Sequence, residues 1–287
     1  MPSEKRARQR ALRDQKLAVQ ERHDRRARNT RRSITLVIVV GVIIALVALL
    51  SGGGTKKPSA TKPTTTTSPT TTTSTTTLTT LPVSHTAIAP VCPPATAAGA
   101  AKRVIAFTTA PPMCIAANSV FDATFVTDVG TFVARLTTAT SPAAVNSFVF
   151  LARYHFYNGI IFQRAIPGFM IQGGDPTGKG AGGPGYTFTG NTPPSSCVAK
   201  GDCYATGDIA LANSTSSPSS DESQFFIVVP GGAAKLADDY TVVGKVTSGM
   251  SVVEKIAADG NSSPAANGSP PKVTHHMISV TVTQISA

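Results

Sequence analysis

The sequence predicts a mainly β domain, a sandwich or closed barrel with two helices, carried beyond a membrane on a single anchor. Three observations lead there. Short runs of alternating apolar residues recur between turn signals over residues 119–287. A seventeen-residue run without charge, Ile34 to Leu50, stands behind a strongly basic N-terminus. A Thr/Pro-rich stretch then separates that run from everything that follows.

The N-terminal 32 residues hold twelve Lys or Arg against four acids, which supplies +8 of the chain's +11. The high charge therefore belongs to a tail, residues 1–33. The tail has no aromatic residue for stacking and its two signs are interspersed, so a topology signal fits it and nucleic acid does not. Residues 34–50 would span roughly 25 Å as a helix, at the short end for crossing a bilayer. The long charged flank and the absence of an Ala-x-Ala cleavage site in "SGGGTKK" favour an uncleaved anchor over a secretory signal. The basic side stays in the cytoplasm, which puts the rest of the chain in the cell membrane's extracytoplasmic space on a single pass.

Residues 51–90 are low complexity, with runs such as "TTTTSPTTTTSTTT". They cannot bury enough apolar surface to offset their ordering entropy and read as a disordered stalk. A lead-in, 91–118, precedes the compact domain. All four cysteines, Cys92, Cys114, Cys197 and Cys203, lie beyond the membrane on this topology, and none forms a C-x-x-C pair. An oxidising compartment and an even count favour two disulfides. Of the three connectivities, Cys92–Cys114 with Cys197–Cys203 closes the shortest loops; free thiols are the alternative.

Within the domain, Val120 to Leu136 reads as two strands around an Asp-Val-Gly turn. "SPAAVNSFVFLARY" follows, with Ser141 as N-cap and Pro142 at the first helical position. Its Val145, Phe148, Val149 and Ala152 form a stripe at helical spacing. Further strands are expected at Ile160–Arg164, Phe169–Gln172, Asp208–Ala212, Gln224–Val229, Thr241–Val246 and Met277–Thr283, and a second helix at Ser251–Ala257.

Conventional chemistry finds little support. "GGDPTGKG" approaches a phosphate-binding loop, but Gly180 stands where Ser or Thr would hold magnesium. His275 and His276 are strand neighbours pointing to opposite faces, so they do not share a metal easily. No nucleophile–base pair and no paired carboxylates are arranged for hydrolysis. What remains is "FQRAIPGFMIQGGDP", a run apolar enough to be core that nevertheless carries Arg164 and Gln172. Met170 and Gln172 would share one strand face, Phe169 and Ile171 the other.

Together with "GDIALAN" and "SQFFI", that run resembles the cyclophilins, peptidyl-prolyl cis-trans isomerases, over roughly Ser119 to Ile285. The resemblance implies a closed eight-stranded antiparallel β-barrel with two capping helices, here preceded by one transmembrane helix. It implies catalysis by Arg164 with Gln172, and a proline pocket of Phe169, Met170, Phe226 and Leu236. The backbone of Ala212 and Asn213 would hold the peptide, and Tyr240 would stand at the rim. No metal or cofactor is implied. Expected partners are proline-containing segments of exported proteins, met by a monomer. The rival readings are a proline-binding module with little turnover and a structural protein displayed on a stalk. Gln163 stands where the family usually has histidine, a departure of little consequence if its side chain faces away, and "TPPSSCVAKGDC" looks like an added, disulfide-pinned loop.

Overall fold

Alternating burial builds most of the architecture. The computed structural model describes residues 83–139, 141–213, 221–263 and 265–286. The tail, the run 34–50 and the stalk up to residue 82 lie outside that range, and so do the anchor and topology expected of them. Among the described residues, no helix is long and apolar enough to cross a membrane. Two short strands, β1 (Val83–Ser84) and β2 (Arg103–Val104), pair in parallel. Eight strands then form one antiparallel sheet: β3 (Val120–Thr127), β4 (Gly130–Thr137), β5 (Arg164–Ile166), β6 (Met170–Gly173), β7 (Asp208–Asn213), β8 (Asp221–Val228), β9 (Val242–Ser248) and β10 (Met277–Ser286). The α-helices are α1 (Pro142–Arg153), α2 (Ser195–Lys200) and α3 (Met250–Ala258), and a 3-10 turn covers Ala233–Lys235.

The strand order is β10-β3-β4-β9-β7-β8-β6-β5. The sheet curls, but its end strands β5 and β10 do not pair along their length. One isolated bridge, Ile161 to His276, and backbone bonds from Phe162 to His275 and from Met277 to Ile160 stitch its two ends. The expected closed barrel is therefore a curled half-barrel with a single seam. The expected strand Ile160–Arg164 is divided for the same reason: its first residues serve the seam, and only Arg164–Ile166 pairs with β6. The helix count also differs from the expectation, because the disulfide-pinned loop forms the short α2, closed by Gly201 in the left-handed region.

Inward positions of β3 and β4, among them Phe121, Phe125, Phe132 and Leu136, are fully buried. Phe125 and Phe132 are register partners, and their rings stack at 4.5 Å. Helix α1 lays Phe148 against Phe125, Tyr157 and Phe225. Each fully buried Phe contributes about 3 kcal/mol of apolar burial. Pro142 begins α1 as expected, but Ser141 makes no side-chain cap; only its carbonyl engages, accepting from the Val145 amide.

The lead-in packs against the C-terminal end of α1. Ala100 N–H reaches the Arg153 carbonyl and Val104 N–H the Tyr154 carbonyl, while Arg103 donates to the carbonyls of His155 and Phe156. The Arg153 carbonyl is one that a helix end leaves without an intrahelical partner, and the other three lie in the turn just beyond it. Phe107 is buried against Phe150 and Tyr154, and Cys92–Cys114 closes the strap.

His275 is buried, its ring nitrogens 2.8 Å from Asp128 and 3.0 Å from Asp259, so it ties the β3–β4 turn to the end of α3. Burial raises the Asp128 pKa, but hydrogen bonds from His275 and the His276 amide outweigh it and leave it below its ordinary value. Asp221, which opens β8, behaves oppositely. It is fully buried, and burial lifts its pKa to about 7 despite the Thr241 hydroxyl, which lowers it.

A raised carboxyl favours folding while it is protonated. Its contribution is complete below the unfolded value of about 4 and is lost as pH climbs through the folded value, at most about 4 kcal/mol over three pH units. Asp128 works the other way, losing its contribution only in acid below about pH 4. The melting temperature should therefore fall between pH 4 and pH 7, and Asp221→Asn should flatten that fall. A fall of equal slope in the variant would refute the assignment, by differential scanning fluorimetry across that range.

Candidate active site

The register of four strands assembles the site. Arg164 on β5 pairs with Gln172 on β6, Gln172 with Phe226 on β8, and Phe226 with Ala210 on β7. Residues opposite one another across antiparallel strands share a face, so these four form one row. Their strand neighbours Ala165, Ile171, Phe225, Ile227, Ile209 and Leu211 point the other way, into the main core. On the row's side, Met170, Ala210, Phe226 and Val228 make a second apolar cluster, with Phe169, Ala212, Leu236 and Tyr240 packed against it.

Phe169 departs from the expected alternation. It lies in the turn before β6, after Gly168 in the left-handed region, and so escapes the pleat. It lines the same cavity as Met170, one residue on. That cavity, about 180 Å³, is lined by Arg164, Phe169, Met170, Gln172, Ala212, Asn213, Phe226, Leu236 and Tyr240. Every residue the sequence suggested for catalysis or peptide binding meets there.

The polar wall is held in one orientation by groups far apart in the chain. Arg164 donates from Nε to the Asn267 carbonyl (2.7 Å), from Nη2 to Asn267 Oδ1 (2.8 Å) and from Nη1 to Gln172 Oε1 (3.3 Å). Its guanidinium also lies 5.9 Å from the Phe169 ring centroid. Burial lowers its pKa, and the nearby Tyr240 raises it; a guanidinium stays charged regardless. Gln172 Nε2 donates to Gln224 Oε1 (3.0 Å), and Gln224 Nε2 donates to the Gly182 carbonyl (3.0 Å). Gln163 lines neither cavity, but it is buried and donates to the same Gln224 oxygen.

Asn267, Gln224 and Gln163 are what sequence reasoning missed. Asn267 carried one signal, the Asn-Gly pair it forms with Gly268, which marks a turn. Both residues adopt positive φ, and a Cβ on Gly268 would collide with Ile166. The turn is therefore pinned beside β5, where it meets Arg164.

A smaller cavity of about 100 Å³ adjoins the first through Gln172, Ala212 and Asn213, and adds Gly180, Ala181, Glu222 and Gln224. Burial, and then the neighbouring Asp175, raises the Glu222 pKa. Asp175 itself accepts the amides of Thr177, Lys179, Gly180 and Ala181. Burial opposes its ionisation, but those bonds leave its pKa below the ordinary value. The amides a phosphate would need in "GGDPTGKG" are thus taken by a carboxylate, which removes the nucleotide reading of this loop.

The cysteines pair as Cys92–Cys114 and Cys197–Cys203. His155 Nε2 meets the Ala100 carbonyl. Among the described residues, no group of three or more His, Cys, Asp and Glu side chains is arranged to hold a metal ion.

An outward cleft that joins a fixed guanidinium to an apolar, ring-sized floor suits a proline-containing peptide, and comparison with known proteins gives the class. The family model for cyclophilin type peptidyl-prolyl cis-trans isomerases matches residues 123–282. Peptidyl-prolyl cis-trans isomerase-like 1 of Emericella nidulans is 36% identical over 138 residues, which are 47% of this chain and 80% of the relative. Peptidyl-prolyl cis-trans isomerase A of Mycobacterium tuberculosis is 41% identical over 114 residues, 38% of this chain and 58% of that one. A Cryptosporidium parvum cyclophilin, crystallised in the presence of the dipeptide Ala-Pro, aligns with a TM-score of 0.48 and 27% identity over 56% of this chain and 98% of that one. The chain belongs to the cyclophilin-type peptidyl-prolyl cis-trans isomerases. It is an isomerase of EC 5.2.1.8, and its mainly β fold is cyclophilin-like.

Glu222 gives the smaller cavity a carboxylate. A peptide with Lys flanking its proline should bind about fivefold more tightly at low salt than its Glu counterpart, as expected for roughly 1 kcal/mol from a half-buried charge pair. Glu222→Gln should erase the difference. Equal affinities in the unaltered protein, measured by fluorescence anisotropy, would rule that preference out.

Proposed function

We propose that the chain is a membrane-anchored isomerase whose groove, outside the membrane, turns X-Pro bonds in exported proteins. One observation carries the catalytic part. The cross-strand row from Arg164 through Gln172 to Phe226 sets a fixed cation beside an apolar floor in one cavity.

The chemistry follows from the bond being turned. Amide resonance raises a barrier of about 18–20 kcal/mol. Twisting removes that resonance and returns a lone pair to the prolyl nitrogen. A donor near that nitrogen binds the twisted form more strongly than the planar one, and only such differential binding accelerates the step. Arg164 suits the role. Three of its five N–H groups are engaged by Asn267 and Gln172, which leaves one on each Nη for substrate.

A 10⁵-fold acceleration needs about 7 kcal/mol, more than one hydrogen bond supplies. Phe169, Met170, Phe226 and Leu236 supply the rest by holding the proline ring while the preceding residue swings. Gln172 and the Ala212–Asn213 backbone hold the peptide. No covalent intermediate forms.

Residues 1–33 serve as the cytoplasmic tail, 34–50 as the anchor and the chain from 51 as the stalk on this reading; the stalk ends earlier than the expected residue 90, because Val83–Ser84 and Ile88 already pair with the lead-in. Charge asymmetry, length and composition support it.

The test is exchange spectroscopy on an Ala-Pro-Phe peptide with the full-length chain. Arg164→Ala should cut kcat by a hundredfold or more. Asn267→Ala, which removes one charge-assisted bond of about 1.5 kcal/mol, should cut it roughly tenfold. Peptide binding with unaltered exchange in Arg164→Ala would refute the role of Arg164. Protease added outside intact cells should release the isomerase domain; a fully protected domain would reverse the topology.

A further inference from the structure

Tyr204 lines neither cavity and belongs to none of the motifs that define the family resemblance, yet it is 6% exposed and bonded to the groove's rim. Its hydroxyl is used twice. The Tyr240 N–H donates to it at 2.9 Å, and it donates to the Tyr240 carbonyl at 3.3 Å. The two rings lie 6.3 Å apart, and the Tyr240 ring stands edge-on to Phe226 at 5.0 Å. We propose that Tyr204 is a positioning residue for the isomerase reaction, fixing the backbone of Tyr240 and so the width of the proline groove. The inference rests on the groove assignment above.

The local chain explains why this position needs a fastening. Tyr240 lies between the 3-10 turn Ala233–Lys235 and β9, outside any strand. The loop is tied at Lys235, whose Nζ donates to the Gly168 carbonyl, and at Asp239, whose carbonyl accepts from Asn213 Nδ2. Tyr204 supplies the tie nearest the ring that faces substrate. It follows Cys203 directly, and the Cys197–Cys203 disulfide closes the loop containing α2. The covalent closure tethers Cys203, the residue next to Tyr204, and so anchors the base of the side chain that carries the hydroxyl. Burial also raises the Tyr204 pKa far above the ordinary phenol value, so the hydroxyl keeps its proton and remains both donor and acceptor.

The predicted signature is a split between KM and kcat. Tyr240 shapes binding, whereas Arg164 acts on the twisted bond. Losing hydrogen bonds worth about 1 kcal/mol should widen the groove's distribution of states by a factor near five.

With the full-length chain and the Ala-Pro-Phe peptide, Tyr204→Phe should raise KM three- to tenfold and leave kcat within twofold. Hydrogen exchange at the Tyr240 amide should quicken by a similar factor. An unmoved KM with unmoved exchange, or a fall in kcat without a rise in KM, overturns the role of Tyr204. Should Tyr204→Phe fail to fold, the same readings are taken on Cys197→Ser combined with Cys203→Ser, which frees the loop's base; an unmoved KM and unmoved exchange there overturn it equally. Arg164→Ala in the same assay separates the two layers. Full kcat in that variant sinks the groove assignment and this inference with it, whereas a collapse there with an unmoved KM in Tyr204→Phe sinks this inference alone.

Discussion

The groove depends on the parity of the pleat. A strand gives alternate residues to opposite faces, so each of β5, β6, β7 and β8 must be written twice, once for each side. The inner script is conventional: Ala165, Ile171, Ile209 and Phe225 close the core. The outer script is Arg164, Gln172, Ala210 and Phe226, aligned by register. A slip of one residue would exchange the two faces of the strand that moved, and in β5 it would bury the Arg164 guanidinium. Core packing therefore enforces the site's geometry, since the same register satisfies both.

A cation on an apolar floor carries a cost, and a chain of amides offsets it. The guanidinium is oriented by Asn267 and Gln172, Gln172 by Gln224, and Gln224 by the Gly182 carbonyl and Gln163. Each member has few free rotamers left. That matters more than the strength of any one bond, because a donor that wandered would stabilise planar and twisted amide alike.

How much was legible in the sequence follows from how local each feature is. Strands β3, β4 and β7 and helix α1 announce themselves by period, and the cavity-lining residues sit in short motifs. The Arg164–Asn267 contact spans 103 residues and joins a strand to an irregular turn, where no period exists to read. Tyr204 directly follows the disulfide-pinned loop, a stretch without apolar rhythm. The strap from Cys92 to Cys114 contributes only the two-residue β2 and one deeply buried ring, Phe107. Phe169 breaks the expected alternation because it sits one residue before the strand begins, where the pleat does not yet hold. The expected strand Ile160–Arg164 divides for a related reason: Ile160 to Gln163 looks like a strand from composition, but its partner is the distant stretch at His275–Met277.

The strap also decides how the domain meets mechanical load. Tension arriving from the chain ahead of residue 83 passes first into β1 and β2, a short parallel pair bonded side by side. Beyond it the Cys92–Cys114 linkage is covalent, so force bypasses residues 93–113 and enters the fold at Cys114, whose amide is bound by the α1 residue Asn146. The bonds that β1 and Ile88 make with residues 103–108 take the pull first, and once they part the linkage carries it past Phe107 and the helix end that ring covers. A thiol reductant would remove that shunt, and the same pull would then be delivered straight to the core.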